Sequence, residues 1–172
     1  MVGLSLGWAG TVEAQTREER AFLRSAANHF GVAEGEVAFL AQGGVSPDEI
    51  PVVLHLARGA GVSAEAILAL RRGGQSWSEL LRRYGMHTGQ LYVTLEVVPT
   101  SGAVGRAYQE FAARPRASWQ VIRLPDDQMV ALVALNFLHV YLDLPPERVA
   151  AALAEAATPV EAYRVLLSRR SA

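Results

Sequence analysis

Apolar residues recur along the first half of the chain at the spacing of short amphipathic helices. Between Trp77 and Tyr84, apolar side chains stand at i, i+3, i+4 and i+7, which places them on one face of a helix. The same spacing predicts two helix pairs and the start of a third unit, at 17–29, 34–42, 47–58, 64–72 and 77–84. The pattern therefore predicts a mainly α-helical fold.

Three helix starts lie thirty residues apart, at Thr16, Ser46 and Ser76. Each is a capping box, in which a hydroxyl accepts a hydrogen bond from the amide three residues on and a Glu at that position reaches back. A fixed interval of about 20–50 residues typically marks one structural unit used repeatedly. We therefore predict tandem short helical hairpins with a period of about 30 residues. The alternative is a set of unrelated amphipathic helices that share common capping residues.

Glycines that would end helices repeat at the same interval. A glycine reaches the left-handed conformation after a helix without strain, so it commonly marks the point where the helix stops. The repeated positions are Gly31, Gly43 and Gly44, and then Gly61, Gly73 and Gly74. Their agreement with the capping boxes favours true internal repetition over residues 15–90.

The helical pattern changes at Leu91. Segment 91–98 is rich in β-branched and aromatic residues and ends at Pro99, and segment 119–124 has a similar character. Both are typical of short strands, which predicts a small β element that has to pack on the helices, because two strands alone are only marginally stable. Residues 91–124 are thus expected to form a β and loop insertion.

Helical patterning returns in the C-terminal part, 125–172. Residues 128–142 are apolar nearly all round, yet this run is shorter than the roughly 20 residues that a membrane span needs. It predicts a buried central helix and no span in the mature chain. The 172-residue length fits a single helical domain from residue 15 onwards.

Residues 1–14 are predicted separately from that domain. A short apolar stretch precedes Val12-Glu13-Ala14, which has the small residues of a signal-peptidase site. We therefore expect a signal-peptide remnant, cleavage after Ala14 and a periplasmic or extracellular protein of a bacterium. The alternative is a flexible leader on a cytoplasmic protein.

Composition narrows the chemistry that the chain can perform. The formal net charge is −1, so no overall field attracts nucleic acid or acidic lipid. There is no Cys, which excludes disulfides, thiolate metal sites and Cys nucleophiles. The four histidines lack the spacing of a zinc motif, and no nucleophile motif such as Gly-x-Ser-x-Gly occurs. The sequence therefore predicts neither a metal nor another cofactor.

Segment 76–92 resembles a DNA-binding helix-turn-helix. Gly85 stands at the expected turn, and apolar residues such as Leu80 and Met86 fill the expected places. The resemblance implies a short recognition helix over 87–90, which carries no Arg or Lys to read base edges. Nearby arginines that could hold phosphates are Arg71, Arg72, Arg82 and Arg83.

A glycine loop at 99–106 offers another candidate site. It leads into a helix that has Arg106 near its start, and helix N-termini bind anions. Aromatic residues on the repeats could instead anchor a protein partner. The candidate binding residues are Trp77, Arg71, Arg72, Arg82, Arg83, Tyr84, His87 and Arg106.

The function expected from these patterns is that of a non-catalytic, exported helical interaction or scaffold protein. Helical-hairpin repeats form extended surfaces that bind other proteins, so another protein is the expected partner and nucleic acid is not. The first alternative is a cytosolic helix-turn-helix regulator. The second is a protein that binds a small ligand or anion at the 99–106 loop.

Overall fold

The fold is mainly α-helical, as a computed structural model shows for residues 16–169. The described residues form nine α-helices, numbered here in chain order. They are α1 Arg17–Phe30, α2 Glu34–Ala41, α3 Ile50–Ala60, α4 Ala64–Arg72, α5 Trp77–Arg83, α6 Gly102–Ala112, α7 Asp126–Leu142, α8 Pro146–Glu155 and α9 Pro159–Ser168. Short 3-10 helices lie at Pro47–Glu49, Thr88–Leu91 and Arg116–Val121.

All three predicted capping boxes are present. The backbone amide of each first residue donates to the Glu three positions later, at 2.7 Å for Thr16, 3.2 Å for Ser46 and 2.8 Å for Ser76. The second box begins a 3-10 helix that continues into α3, and Pro47 occupies its first position. These helix starts are therefore fixed by local sequence, as predicted.

The glycines of the thirty-residue pattern also adopt matching conformations. Gly31 and Gly61 end α1 and α3 with φ values of 70° and 66°. Gly44 and Gly74 have φ values of 89° and 90°. Positive φ favours glycine, so these positions carry the same residue because the backbone turns in the same way.

Helix α7 lies at the centre of the fold. It contacts α1, α3, α5, α6, α8 and α9. Side chains on nearly all of its faces are buried, including Met129, Leu132, Leu135 and Leu138. The prediction of a buried central helix is confirmed.

The predicted β element is wrong, because the structure has no strand in residues 16–169. Segment 91–98 begins in a 3-10 helix and continues as an extended chain, and segment 119–124 overlaps the 3-10 helix Arg116–Val121. The two segments meet through side chains, since the rings of Tyr92 and Trp119 are 4.5 Å apart.

Side chains of the helices form hydrogen bonds with the backbone of segment 91–98, in place of those that a second strand would form. The carbonyl of Leu91 accepts from Asn136 of α7 at 2.8 Å, and the amide of Glu96 donates to Glu147 of α8 at 2.9 Å. The carbonyl of Val93 likewise accepts from the Tyr108 hydroxyl of α6. Aromatic and β-branched residues here pack on helices, so strand-like composition did not require a strand.

The predicted signal-peptide remnant, 1–14, lies outside the described residues. Within residues 16–169, no single helix has both the length and the apolar character of a membrane span. Two consecutive helices, Pro47–Ala60 and Ala64–Arg72, reach that length and apolar character only when they are taken together, and the chain bends by 120° between them.

Candidate functional site

A cleft of about 440 Å³ opens where the starts of α6, α7 and α9 meet the 3-10 helix Pro47–Glu49. Val130, Ala131 and Leu153 form part of an apolar wall. The charged residues that line it are Asp48, Glu49, Asp126, Asp127 and Arg106. Carboxylates therefore outnumber cations in the cleft, beside a surface that can pack against an aliphatic chain.

Arg71 organises one side of this cleft from the end of α4. Its guanidinium donates to Glu49 at 2.7 Å and to Asp126 at 2.6 Å. A further bond runs to the carbonyl of Gln75 at 3.1 Å. The network joins the second capping box, the turn after α4 and the start of α7.

Trp77 completes the network as a buried side chain. Its ring lies against Arg71, with the guanidinium carbon 4.5 Å from the ring centre. Its indole N–H donates to Glu49 at 2.9 Å, and its backbone amide donates to Asp126 at 2.9 Å. The residue is fully buried, so it supports the cleft and offers no surface to a partner.

The charges in the network stabilise one another. Burial alone would raise the pKa of Glu49, but hydrogen bonds from Arg71, Ser46 and Trp77 outweigh it and hold that pKa below its usual value. Burial alone would also lower the pKa of Arg71, and the bonds to Glu49 and Asp126 instead raise it. Both residues are therefore charged at neutral pH and fix each other in place.

Asp48 and Asp127 differ in how they are held. The Asp48 carboxylate accepts from the amide of Val160 in the first turn of α9 at 2.8 Å, and burial raises its pKa despite that bond. Asp127 pairs with Arg106 at 2.6 Å, and both side chains are about half exposed. Asp127 is thus the more accessible of these two carboxylates.

The 99–106 loop is tightly packed. A Cβ added to Gly102, whose φ is +69°, would come within 2.7 Å of the Cα of Ala154 in α8. A Cβ on Gly105 would come within 2.7 Å of the carbonyl oxygen of Pro99. Glycine is needed here for close packing, and the charge of Arg106 is already paired with Asp127.

The remaining predicted binding residues lie elsewhere. Arg72 donates to the carbonyl of Gly43, and Tyr84 is half-buried against the core. Arg82 and His87 line a second, smaller cleft beyond the end of α5, whereas Arg83 is exposed and does not line it. The structure therefore brings Arg71 and Trp77 together and separates both from the Arg82 and His87 pair.

The helix-turn-helix resemblance holds only in its first part. Helix α5 ends before Gly85, which has φ 72°, but only the four-residue 3-10 helix Thr88–Leu91 follows. Thr88 is buried there and donates to the carbonyl of Ile122 at 2.8 Å. A helix of this length, packed in this way, does not provide the recognition helix that enters a major groove.

Three histidines from different helices lie near the end of α1. The His29 ring is 5.2 Å from that of Phe137, and Arg58 of α3 donates to the carbonyl of Phe30 at 2.9 Å. Burial, Arg58 and His139 together lower the pKa of His29. Burial, Arg58 and His29 lower that of His55. Within the described residues, no group of three His, Asp or Glu side chains is placed to hold a metal ion.

Sequence reasoning assigned none of the four acidic residues of this cleft to a binding site. A capping box by itself explains Glu49, and a place in the first turn of a helix, where carboxylates complement the dipole, explains Asp126 and Asp127. Both interpretations describe local roles, and nothing in the local pattern indicates that the residues meet. Comparison of the chain with models of protein families, with characterised proteins and with solved structures gave no significant match.

We expect Arg71→Met to lower the free energy of unfolding by about 2 kcal/mol or more. The substitution leaves Glu49 and Asp126 without their charged partner at a site where the Arg71 side chain is only 21% exposed. Urea unfolding followed by circular dichroism measures the loss, with a midpoint lower by roughly 1 M.

Arg106→Met is the matched control, because it removes an arginine from an exposed ion pair beside the same cleft. Its expected cost is about 1 kcal/mol or less. Equal losses in the two variants would contradict the central role of Arg71.

Stability is expected to fall as the pH drops below about 6.5. The lowered pKa values of His29 and His55 mean that the unfolded chain takes up protons there before the folded chain does. Urea midpoints measured from about pH 7.5 down to about pH 5.5 cover the range in which histidines titrate. The double variant His29→Gln/His55→Gln should flatten this slope, and an unchanged slope would show that the cluster does not cause it.

Proposed function

We propose that the protein is an exported, non-catalytic helical interaction protein that holds a basic side chain of a protein partner in the acidic cleft, the one lined by Asp48, Glu49, Asp126 and Asp127. The observation that carries this proposal is the excess of carboxylates beside an apolar wall. Such a site complements Arg or Lys, whose aliphatic stem packs on apolar surface while the cation meets acidic groups. Val130 and Leu153 would contact the stem. The cation would bind Asp127, whose side chain is exposed, and would replace Arg106 as its ion-pair partner.

The fixed geometry of the cleft supports binding rather than catalysis. Asp126 and Glu49 are engaged by Arg71 and Trp77, and Asp48 holds the first turn of α9. Carboxylates that are held by these hydrogen bonds keep a fixed position in the cleft. An acidic surface that is already ordered binds a complementary cation with little further loss of side-chain conformational entropy.

We further propose that residues 15–90 are tandem helical hairpins with a period of about 30 residues. The support is local: capping boxes and left-handed glycines recur at that interval, and α1 contacts α2 as α3 contacts α4. This half of the chain supplies Glu49 to the cleft and Arg71 to the ion pairs that hold Glu49 and Asp126. In the proposal, the hairpins act as the scaffold that positions the acidic wall.

A short peptide that contains one Arg tests the cleft directly, with the same peptide carrying neutral citrulline as its control. We expect saturable binding of the Arg peptide, followed by amide chemical shifts near Asp127 and Val130 in the full chain. Asp127→Asn should weaken that binding about threefold or more, as expected for a partly exposed charge pair. Glu65→Gln, which alters an exposed carboxylate of α4 outside the cleft, should leave it unchanged. Equal binding of both peptides would refute the proposed specificity.

Export is tested at the N-terminus of the native protein. Mass spectrometry of protein isolated from its own cells should find a chain that begins at Gln15, after cleavage behind Ala14. Cell fractionation should place that chain outside the cytoplasm. An intact Met1 in cytoplasmic protein would overturn export while leaving the cleft proposal open to its own test.

A further inference from the structure

A second cleft, of about 120 Å³, lies between the C-terminal end of α5 and segment 120–123. Its floor is apolar, with Leu81 and Ile122 buried and Met86 partly buried. Its charged lining residues are Arg82 and Arg123. Two cations therefore face one small space, although they come from parts of the chain that are 41 residues apart (123 minus 82).

Neither arginine side chain has an ion-pair partner or a hydrogen bond within residues 16–169. Most other arginines in that range form ion pairs or donate to backbone carbonyls, as Arg71 and Arg72 do. The helix dipole accounts for Arg82 in the last turn of α5, but Arg123 belongs to an extended segment. The convergence of the two on one cleft thus needs another explanation.

Glu79 is the acidic residue that acts on both arginines. Bonds from the amide and the hydroxyl of Ser76, both 2.8 Å, hold its carboxylate in the third capping box. Those bonds, with smaller contributions from Arg82 and Arg123, lower the pKa of Glu79. Its charge offsets part of the positive field, but it forms no ion pair with either arginine.

His87 adds a third polar group to the cleft lining. Its Nδ1 is buried and has no hydrogen-bond partner within the described part of the chain. The Gln90 backbone amide lies on the side of the ring that caps the following 3-10 helix, so the proton that a bound anion can reach is the one on Nε2. Two guanidinium groups and an imidazole, over an apolar floor, form a donor-rich site that can make charge-assisted hydrogen bonds to an anion.

We propose that this cleft binds a phosphate group, either as inorganic phosphate or as a small phosphate monoester. Guanidinium N–H groups form a fork that matches phosphate oxygens. A space of 120 Å³ is about that of four water molecules, which suits one tetrahedral oxyanion and leaves the rest of a monoester in solvent. The site is separate from the acidic cleft, so this proposal stands apart from the interaction function.

Titration of the ¹⁵N-labelled full chain with inorganic phosphate, at constant ionic strength set by chloride, tests the proposal. We expect saturable shifts of the amides of Arg82, His87 and Arg123. Arg82→Gln and Arg123→Gln should each weaken binding about tenfold, the usual effect of losing a hydrogen bond to a charged group. Arg83→Gln makes the same change in charge at the adjacent residue, outside the cleft, and should alter affinity less than about twofold.

A gain of affinity provides a second test that does not depend on losing a side chain of the site. Glu79→Gln keeps the capping-box geometry, which accepts Glu or Gln, and removes the opposing charge. Phosphate should then bind about two- to threefold more tightly, because a nearby exposed charge has only a small effect on affinity. Equal losses in all three arginine variants would show only diffuse electrostatic attraction and overturn the proposal. An affinity that Glu79→Gln leaves unchanged would also overturn it, because the anion would then lie outside the field that Glu79 shares with Arg82 and Arg123.

Glycerol 3-phosphate and acetate complete the experiment. Tighter binding of glycerol 3-phosphate than of inorganic phosphate assigns a monoester to the site, and the reverse order assigns free phosphate; both support the proposal. Acetate should bind at least tenfold more weakly, since it offers fewer acceptor oxygens and less charge. Acetate binding as tight as that of phosphate would overturn the phosphate assignment.

Discussion

The ion pairs of Arg71 are the interaction on which the arrangement of the helices depends most. Glu49 and Asp126 are 77 residues apart in the chain (126 minus 49), and one guanidinium holds both. Carboxylates that are largely removed from water need a counter-charge and hydrogen bonds, and here Arg71 and Trp77 supply them. One side chain therefore joins the 3-10 helix Pro47–Glu49 to the start of the central helix, and the shape of the acidic cleft depends on it.

Local features of the sequence were predictable, because their causes lie within a few residues. The capping boxes at Thr16, Ser46 and Ser76 need only a hydroxyl and a Glu three positions later, and all three form. The apolar run 128–142 likewise indicated a buried helix by its own length and composition. The contacts of Glu49 were not predictable, because its partners are 22 and 28 residues away, and Asp126 is 55 residues from Arg71. The β element failed because strand propensity reports packing on a surface, which helices can provide as well.

Charge is unevenly distributed although the chain is nearly neutral overall. The acidic cleft lies where α7 begins, against the N-terminal end of α5, and the basic cleft lies beyond the C-terminal end of α5. Arginines that look equivalent in the sequence therefore have different roles. Arg71 is committed to neighbouring carboxylates, whereas Arg82 keeps its charge facing solvent. A net charge of −1 thus conceals two local fields of opposite sign.

The extended segment after Leu91 also bears on self-association. Its composition is that of a β-strand, and Val97 remains 71% exposed. A free edge with such a composition would be a template for pairing with another chain and for aggregation. In the folded protein, side chains of α6, α7 and α8 already occupy the backbone groups of Val93, Leu91 and Glu96. Tyr108, Asn136 and Glu147 thereby protect a segment of β-strand composition. Because their three hydrogen bonds already satisfy these backbone groups, the segment cannot use the same groups to pair with a strand of another molecule.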